Sequence, residues 1–246
     1  MIRAVIPAAG KGTRSGLPFP KTLQPVDGIP ILVRIMRALF PIDERPVVIV
    51  SPEGRSDIAD TLAYYELDAE LVEQAEPHGM GHAVLQFARS PSFKITQEVV
   101  VVWGDMISIP TALIETVISL FRKDGVDFAF PTCFQEPCYA HVVRDRMGTV
   151  TELLERREEG DAIPHFGEAD CGLFVFRKKP VFNVLRDRQC ELIGRVTGEV
   201  GFLAVVRVLA KQGRDVRAYP IASLEDTMTF NSPSDLENYS TRFLLR

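Results

Sequence analysis

The stretch "IPAAGKGTRSGLPFPK", residues 6–21, sets the reading of the chain. It is the exit from "IRAVIPA" (2–8), a short apolar run closing on small residues, which reads as a buried strand. The strand opens into a loop that holds Gly10, Gly12, Lys11, Arg14 and Lys21 and no acid. From the N-terminus the first acidic residue is Asp27, and Arg3, Lys11, Arg14 and Lys21 all precede it. The chain as a whole carries a net charge of −5, so this positive loop stands against its background. A glycine-containing basic loop after a strand points to a polyphosphate site.

The 246 residues are 46% hydrophobic and 25% charged, the balance of an ordinary globular protein with a substantial core. The acidic balance argues against general nucleic-acid binding, which needs a basic face. No run approaches the roughly 18 apolar residues of a membrane span. The N-terminal apolar run passes directly into the loop and lacks a signal-peptide layout, so the expected location is cytoplasmic, with neither nucleic acid nor membrane as partner. Cys133, Cys138, Cys171 and Cys190 are scattered without a C-x-x-C pair and read as reduced, mostly buried thiols. Cys133 and Cys138 with His141 or His165 match no standard zinc spacing.

Strands and helices alternate through the first half. "IPILVRIMRALF" (29–40) puts Ile31, Leu32, Ile35, Met36, Leu39 and Phe40 on one helical face, after an Asp27-Gly28 turn. "RPVVIVS" (45–51), "AELVEQ" (69–74) and "EVVVVWGD" (98–105) read as strands. Residues 56–66, 81–89 and 110–123 read as helices. The pattern predicts an α/β fold, a Rossmann-like doubly wound and mainly parallel sheet, whose ligands bind beyond the carboxyl ends of the strands. The opening loop and Asp105 both follow such ends. After residue 125 the rhythm changes. Strands at 126–133, 140–145, 149–155 and 171–176 suggest a smaller β-rich lobe facing the substrate, with 156–168 as a polar loop. Helices near 178–190 and 199–211, a strand "DVRAYP" and a terminal helix from Pro233 complete the chain. No repeat or linker interrupts it. The expectation is one domain, 1–246, with a nucleotide-binding half (1–125) and an acceptor-binding half with a closing helix (126–246).

Three phosphate-binding schemes compete for the opening loop. A Walker loop requires a closing Gly-Lys-Ser/Thr that is absent. A dinucleotide fingerprint fits Gly10 and Gly12 but meets Ser15 at its third glycine, and Pro18 and Pro20 block an immediate helix. The third scheme fits: "AAGKGTR" followed by "FPK" resembles the signature of the sugar-nucleotidyltransferase superfamily. Ala8, Ala9, Gly10, Lys11, Gly12 and Thr13 then form the triphosphate loop, whose small residues let backbone N–H groups approach phosphate. Arg14 and Lys21 are its expected catalytic cations. Taken alone, the loop also reads as a solvated turn.

The resemblance runs over nearly the whole chain and is nearest to the uridylyltransferase domain of bacterial N-acetylglucosamine-1-phosphate uridylyltransferases, with the nucleotide-diphospho-sugar transferase (GT-A-like) fold. Their C-terminal acyltransferase repeats have no counterpart before residue 246, and that second activity is expected to be absent from this chain. "EQAEPHGMGHAV" (73–84) is similar to the family's uracil-binding segment and implies that Gln74, Gly79, Met80 and Gly81 hold the base. Met80 replaces the usual threonine, and His82 reads as a structural helix residue. "VVWGDM" implies that Asp105 binds Mg²⁺, and "DTMTFNSPSDLE" (226–237) places Asn231 on the second metal ligand. Without the resemblance, Asp105 and Asn231 also read as helix caps or turn residues, Gln74 as a surface residue and Trp103 as core or pocket wall.

On the sugar side the resemblance implies Ala140, Glu155 and Asp170 as substrate-binding residues, and here the chain departs from the family. Asp170 stands where the family has asparagine, Ala140 where it has glycine and His141 where it has arginine. A carboxylate at 170 can only accept hydrogen bonds, whereas an amide also donates. The expected reaction is NTP plus sugar 1-phosphate giving an NDP-sugar and pyrophosphate, with Mg²⁺ as cofactor and UTP as the favoured nucleotide. Other acceptors fit the same core: choline phosphate, a polyol phosphate or a molybdenum-cofactor precursor. Cytidine remains an alternative base. A silent sugar-nucleotide sensor would have lost the metal ligands or the cations, and all four residues are present. A Rossmann dehydrogenase is disfavoured by Ser15 and the two prolines.

Overall fold

The computed structural model describes residues 1–10, 17–232, 234–236 and 239. Lys11, Gly12, Thr13 and Arg14 lie outside the described residues, as does most of the expected terminal helix.

The valine- and isoleucine-rich runs form the middle of a single ten-stranded sheet. Strand β1 (Ile2–Pro7) lies between β4 (Val47–Val50) and β6 (Glu98–Val102), β5 (Glu70–Glu73) borders β4, and these four strands run parallel. Beyond β6 the sheet continues through β11 (Leu173–Arg177) and β7 (Phe128–Gln135). It then passes to β10 (Gly167–Asp170), β8 (Ala140–Arg144) and β9 (Val150–Glu155) by antiparallel pairing. Strand β12 (Val216–Tyr219) pairs with β7 in parallel. A small hairpin, β2 (Pro25–Val26) and β3 (Ile29–Pro30), turns on Asp27 and Gly28. Both have φ > 0, at 50° and 76°, as the expected two-residue turn requires. The parallel strands β1, β4, β5 and β6 thus all fall within residues 1–125, and the β-rich part of the chain extends the same sheet.

Alternation along the central strands serves two cores. Ala4, Ile6, Val48, Val50, Val100 and Val102 face one layer. That layer holds α1 (Ile31–Leu39), α2 (Arg55–Tyr64) and α4 (Thr111–Asp124). Val5, Val47, Ile49, Val99 and Val101 face the other, with α3 (Met80–Leu85), α6 (Lys178–Asp187) and α7 (Ala204–Lys211). Strands buried on both faces have to be continuously apolar, which explains "VVIV" and "VVVV". A four-residue helix, α5 (Arg156–Glu159), follows β9.

Two expectations are corrected. Residues 156–168, expected as a polar loop, contain α5 and the start of β10. The polarity misled because Glu168 is buried within the strand. Its carboxylate accepts from Arg144 (2.9 and 2.7 Å) and from Thr132 Oγ1 (2.7 Å), so a charged residue sits satisfied inside the sheet. The helix expected over 199–211 begins at Ala204, because Val200 bridges to Ile193 and hydrogen-bonds with His78 and Gly81. Of the four free thiols, Cys133, Cys138 and Cys171 are buried and Cys190 is exposed.

Candidate active site

A cavity of about 850 Å³ opens beyond the carboxyl ends of β1 and β6, the position expected for a doubly wound sheet. Local sequence explains how its walls come together. Gly104 donates its N–H to Pro7 O (3.2 Å), and a Cβ on Gly104 would stand 2.4 Å from that same oxygen. Only glycine lets the exit of β6 close against the exit of β1. Asp105 is thereby carried to the side of Ala8, Ala9 and Gly10, which line the same cavity. Residues 228–231 run alongside: Ile107 N–H donates to Met228 O and Phe230 N–H to Asp105 O, both at 2.8 Å. This pairing sets Asn231 beside Asp105 although 126 positions separate them in sequence.

Lys21 completes the group. It opens a 3₁₀ turn (Lys21–Leu23) after Pro20, and its Nζ donates to Asp105 Oδ2 at 2.6 Å and to Asn231 Oδ1 at 3.3 Å. Three segments distant in sequence therefore converge on one cationic point. Their side chains remain partly open to the cavity, with Lys21 20% and Asp105 22% exposed. Asn231 is held by its own amide, which donates to Thr229 Oγ1 (3.1 Å), and by its backbone N–H on Asp235 Oδ2 (2.7 Å).

Gln74, Gly79, Met80 and Ala83 also line the cavity. Gly79 has φ +100°, and a Cβ there would meet Glu199 Cβ at 2.7 Å and Val200 O at 2.8 Å. Gly81 N–H donates to Val200 O (2.8 Å), and Val200 N–H donates to His78 O (2.8 Å). The glycine-rich turn is therefore stapled to residues 199–201 of the second half. Gln74 is 5% exposed, and its Nε2 lies 2.9 Å from His82 Nδ1 and 3.3 Å from Gly79 O. Burial pulls the His82 imidazole below its ordinary range, helped by the charge of His78 and opposed by Glu76, so the ring is neutral at pH 7.

Ala140, Glu155 and Asp170 line the same cavity. The register of β8 and β9 sets Ala140 directly across from Glu155. Arg157 bridges Glu155 Oε2 (2.6 Å) and Glu199 Oε2 (2.9 Å). Arg156, also in the cavity wall, donates to the carbonyls of Cys138, Ile163 and Pro164. Asp170 accepts one hydrogen bond, from Gly172 N–H at 2.9 Å, and has no ion-pair partner among the described residues. Burial, opposed by that N–H and reinforced by the nearby Glu155 charge, pushes its carboxyl up to about 6.

Trp103, read from the sequence as core or pocket wall, is both, and other walls of the cavity were not singled out in the sequence. Trp103 lines it while packing on Phe174 and Phe202 (5.0 and 5.4 Å between ring centroids). Tyr139, Arg157, Glu199 and Leu203 add further contacts. Glu199 and its neighbours had no local signal, since their role depends on a strand-like approach to residues 78–81 from more than a hundred positions away.

Over residues 4–212 the chain matches the MobA-like NTP transferase domain, and it belongs to that family of nucleotidyltransferases. It is 27% identical over 221 residues to the bifunctional protein GlmU of Leifsonia xyli subsp. xyli, covering 89% of this chain and 45% of that protein. It is 28% identical over 230 residues to GlmU of Listeria innocua serovar 6a, covering 93% and 49%. The chain thus spans about half the length of these curated relatives. Two solved structures share the fold. An inositol-1-phosphate CTP transferase from T. maritima has a TM-score of 0.72 at 19% identity, covering 95% of this chain and 90% of that one. A putative glucose-1-phosphate thymidylyltransferase from Bacillus anthracis has a TM-score of 0.78 at 17% identity, covering 98% and 95%.

Proposed function

We propose that this chain transfers a nucleotidyl group from an NTP, with UTP favoured, to the phosphate of a sugar 1-phosphate or a closely related polyol phosphate, releasing pyrophosphate. The observation that carries the reading is the meeting of Lys21, Asp105 and Asn231 in one cavity that Gln74, Gly79, Glu155 and Asp170 also line. A phosphate monoester is already a nucleophile at pH 7, so the chemistry asks for alignment and charge neutralisation rather than a general base. In the step itself an oxygen of the acceptor phosphate bonds to the α-phosphorus while the bond to the β-phosphate oxygen breaks. The electron pair leaves with pyrophosphate.

Gln74 and the backbone around Gly79–Gly81 hold the base. Ala8, Ala9 and Gly10 let the phosphate chain approach the β1 exit, Lys11, Gly12 and Thr13 bind it as well, and Arg14 holds the leaving pyrophosphate. Lys21 steadies the α-phosphate or the acceptor phosphate. Ala140, Glu155 and Asp170 take the acceptor's hydroxyls. Asp105 and Asn231 suit a hard cation: both offer oxygen, and the Lys21 ammonium already rests between them. With Mg²⁺ bound there, phosphate charge would be neutralised by the metal while Lys21 turns to the substrate.

Asp170 favours acceptors beyond N-acetylglucosamine 1-phosphate, because a carboxylate next to Glu155 offers only acceptors to whatever binds. The inositol-1-phosphate CTP transferase, a structural neighbour, supports keeping polyol phosphates and CTP within the reading. The test is a pyrophosphate-release panel of four NTPs against sugar 1-phosphates, inositol 1-phosphate and choline phosphate, with and without Mg²⁺. Metal-dependent release with one nucleotide and one acceptor class is the expected result. Silence across the panel with nucleotide binding retained would indicate a sensor instead.

A further inference from the structure

Five carboxylates stand in the described wall of the cavity, and the fold supplies partners for four of them. Asp105 holds Lys21, while Glu155 and Glu199 share Arg157. Asp235 accepts from the backbone N–H groups of Asn231 and Ser232, both at 2.7 Å. Asp170 has the single hydrogen bond from Gly172 N–H and no cation among the described residues. The described cations of the wall are engaged elsewhere: Lys21 on Asp105 and Asn231, Arg157 on the two glutamates, Arg156 on three carbonyls. The charge that acts on Asp170 is that of Glu155, and it has the same sign.

An aromatic wall adjoins this carboxylate. Trp103 donates its backbone N–H to Gly172 O (2.9 Å), and a Cβ on Gly172 would stand 2.8 Å from the indole Cδ1. Gly172 thus holds Asp170 by its N–H and, having no side chain, lets the indole lie close. Phe202 packs edge-on against Trp103, and both line the cavity, as does Tyr139. An unpaired carboxylate beside an indole suits an ammonium group: the carboxylate supplies the opposite charge, and the ring's negative face attracts a cation. A hydroxyl would give Asp170 one more hydrogen bond and leave its charge uncompensated beside that of Glu155. An ammonium group supplies the hydrogen bond, or a close contact if it is quaternary, together with the missing positive charge.

We infer that the acceptor phosphate carries an ammonium group, as an amino sugar 1-phosphate or an amino-alcohol phosphate does, and that Asp170 selects it. The inference rests on the proposed transfer reaction and narrows its acceptor. The bonds made and broken at phosphorus are unchanged, and the ammonium group takes no part in them.

The experiment measures pyrophosphate release at pH 7, with Mg²⁺ and the nucleotide the protein uses best, from two matched pairs of acceptors. Glucosamine 1-phosphate is set against glucose 1-phosphate. Choline phosphate is set against dimethylbutyl phosphate, its carbon isostere, which keeps the shape without the charge. Asp170, titrating at about 6, is mostly ionised at that pH. The cationic member of one pair is expected to have a kcat/KM at least about tenfold above its neutral partner, the scale of one charged contact. Which pair responds distinguishes an amino sugar from an amino alcohol. Asp170→Asn is expected to bring that ratio to within about threefold, with nucleotide affinity by calorimetry unchanged and melting curves reporting folding. Neutral acceptors, inositol 1-phosphate included, used as well as both cationic ones overturn the inference and leave nucleotidyl transfer standing. So does an Asp170→Asn protein that keeps the preference for the cation. If Asp170→Asn does not fold, the matched pairs in wild type decide alone. Pyrophosphate release from no acceptor at all removes the transfer reading, and the inference falls with it.

Discussion

Two aspartates line the same cavity, and the protein treats them in opposite ways. Asp105 leaves the carboxyl end of β6 and meets an ammonium at 2.6 Å. Asp170 leaves β10 and meets a single backbone N–H, with a second carboxylate nearby and its own pushed up to about 6. The first carboxylate is paired with a cation; the second is a charge the fold disfavours. Under the proposed function, the surroundings of Asp105 handle the charge of metal and phosphate, and those of Asp170 handle hydrogen bonds from the acceptor.

The largest expected effect breaks the charged end. Asp105→Ala should lower the rate of pyrophosphate release by about 10²–10³-fold, the loss seen for a single preorganised electrostatic group. Lys21→Met should fall in the same range. Steady-state assays with saturating Mg²⁺ check both, and wild-type turnover by either variant would remove the distinction between the two aspartates. Next in size is the hinge that delivers Asp105. Gly104→Ala puts a methyl group 2.4 Å from Pro7 O, backbone against backbone. Urea unfolding should show a loss of about 1–3 kcal/mol, with activity falling alongside.

Asp170→Asn probes the other end. Its expected effect is a change of up to about tenfold in acceptor KM with the NTP KM unchanged, the scale of one hydrogen bond gained or lost. It also changes the pH dependence of stability. Because the folded-state carboxyl titrates near 6 rather than at its ordinary value of 3.8, the folded state holds its proton longer than the unfolded chain. Ionisation between those values therefore costs stability, which falls as pH rises from about 4 to about 6. Melting temperatures across that window should drop more for wild type than for Asp170→Asn. The smallest effect belongs to an ion pair remote from the cavity. Removing Arg122, which donates to Glu98 at 3.0 and 2.7 Å on the surface, should cost no more than about 1 kcal/mol by the same unfolding assay.

Which parts were legible in the sequence follows the same division. Strands β1, β4 and β6 were readable because burial on both faces demands uninterrupted apolar residues; Gly104-Asp105 was readable as a strand end, while the close approach to Pro7 that demands glycine there is tertiary. The Lys21–Asp105–Asn231 meeting came only through the resemblance, since 3.3 Å between Lys21 and Asn231 is a tertiary distance with no local trace. Strand β10 was hidden by Glu168, whose burial makes sense only once Arg144 and Thr132 are placed around it. The wall formed by Glu199 and Val200 was hidden for a related reason: its backbone pairs with residues 78–81, and backbone pairing leaves little mark on side-chain pattern. His82 was read as a structural helix residue, and the ring contacts with Gln74 and Gln86 add a neighbour relationship that spacing alone does not convey.

Strand β11 carries a consequence for how such a protein can change. It enters the sheet from late in the chain and lies between β6 and β7, so the strand bearing Asp105 borders residues 173–177 rather than its sequence successor. A cut near residue 125 would sever two interleaved pieces, each lacking a neighbour it needs. Residues 126–246 are therefore no separable cassette: a change of chemistry on that side has to come by substitution in place, around a strand that both parts share.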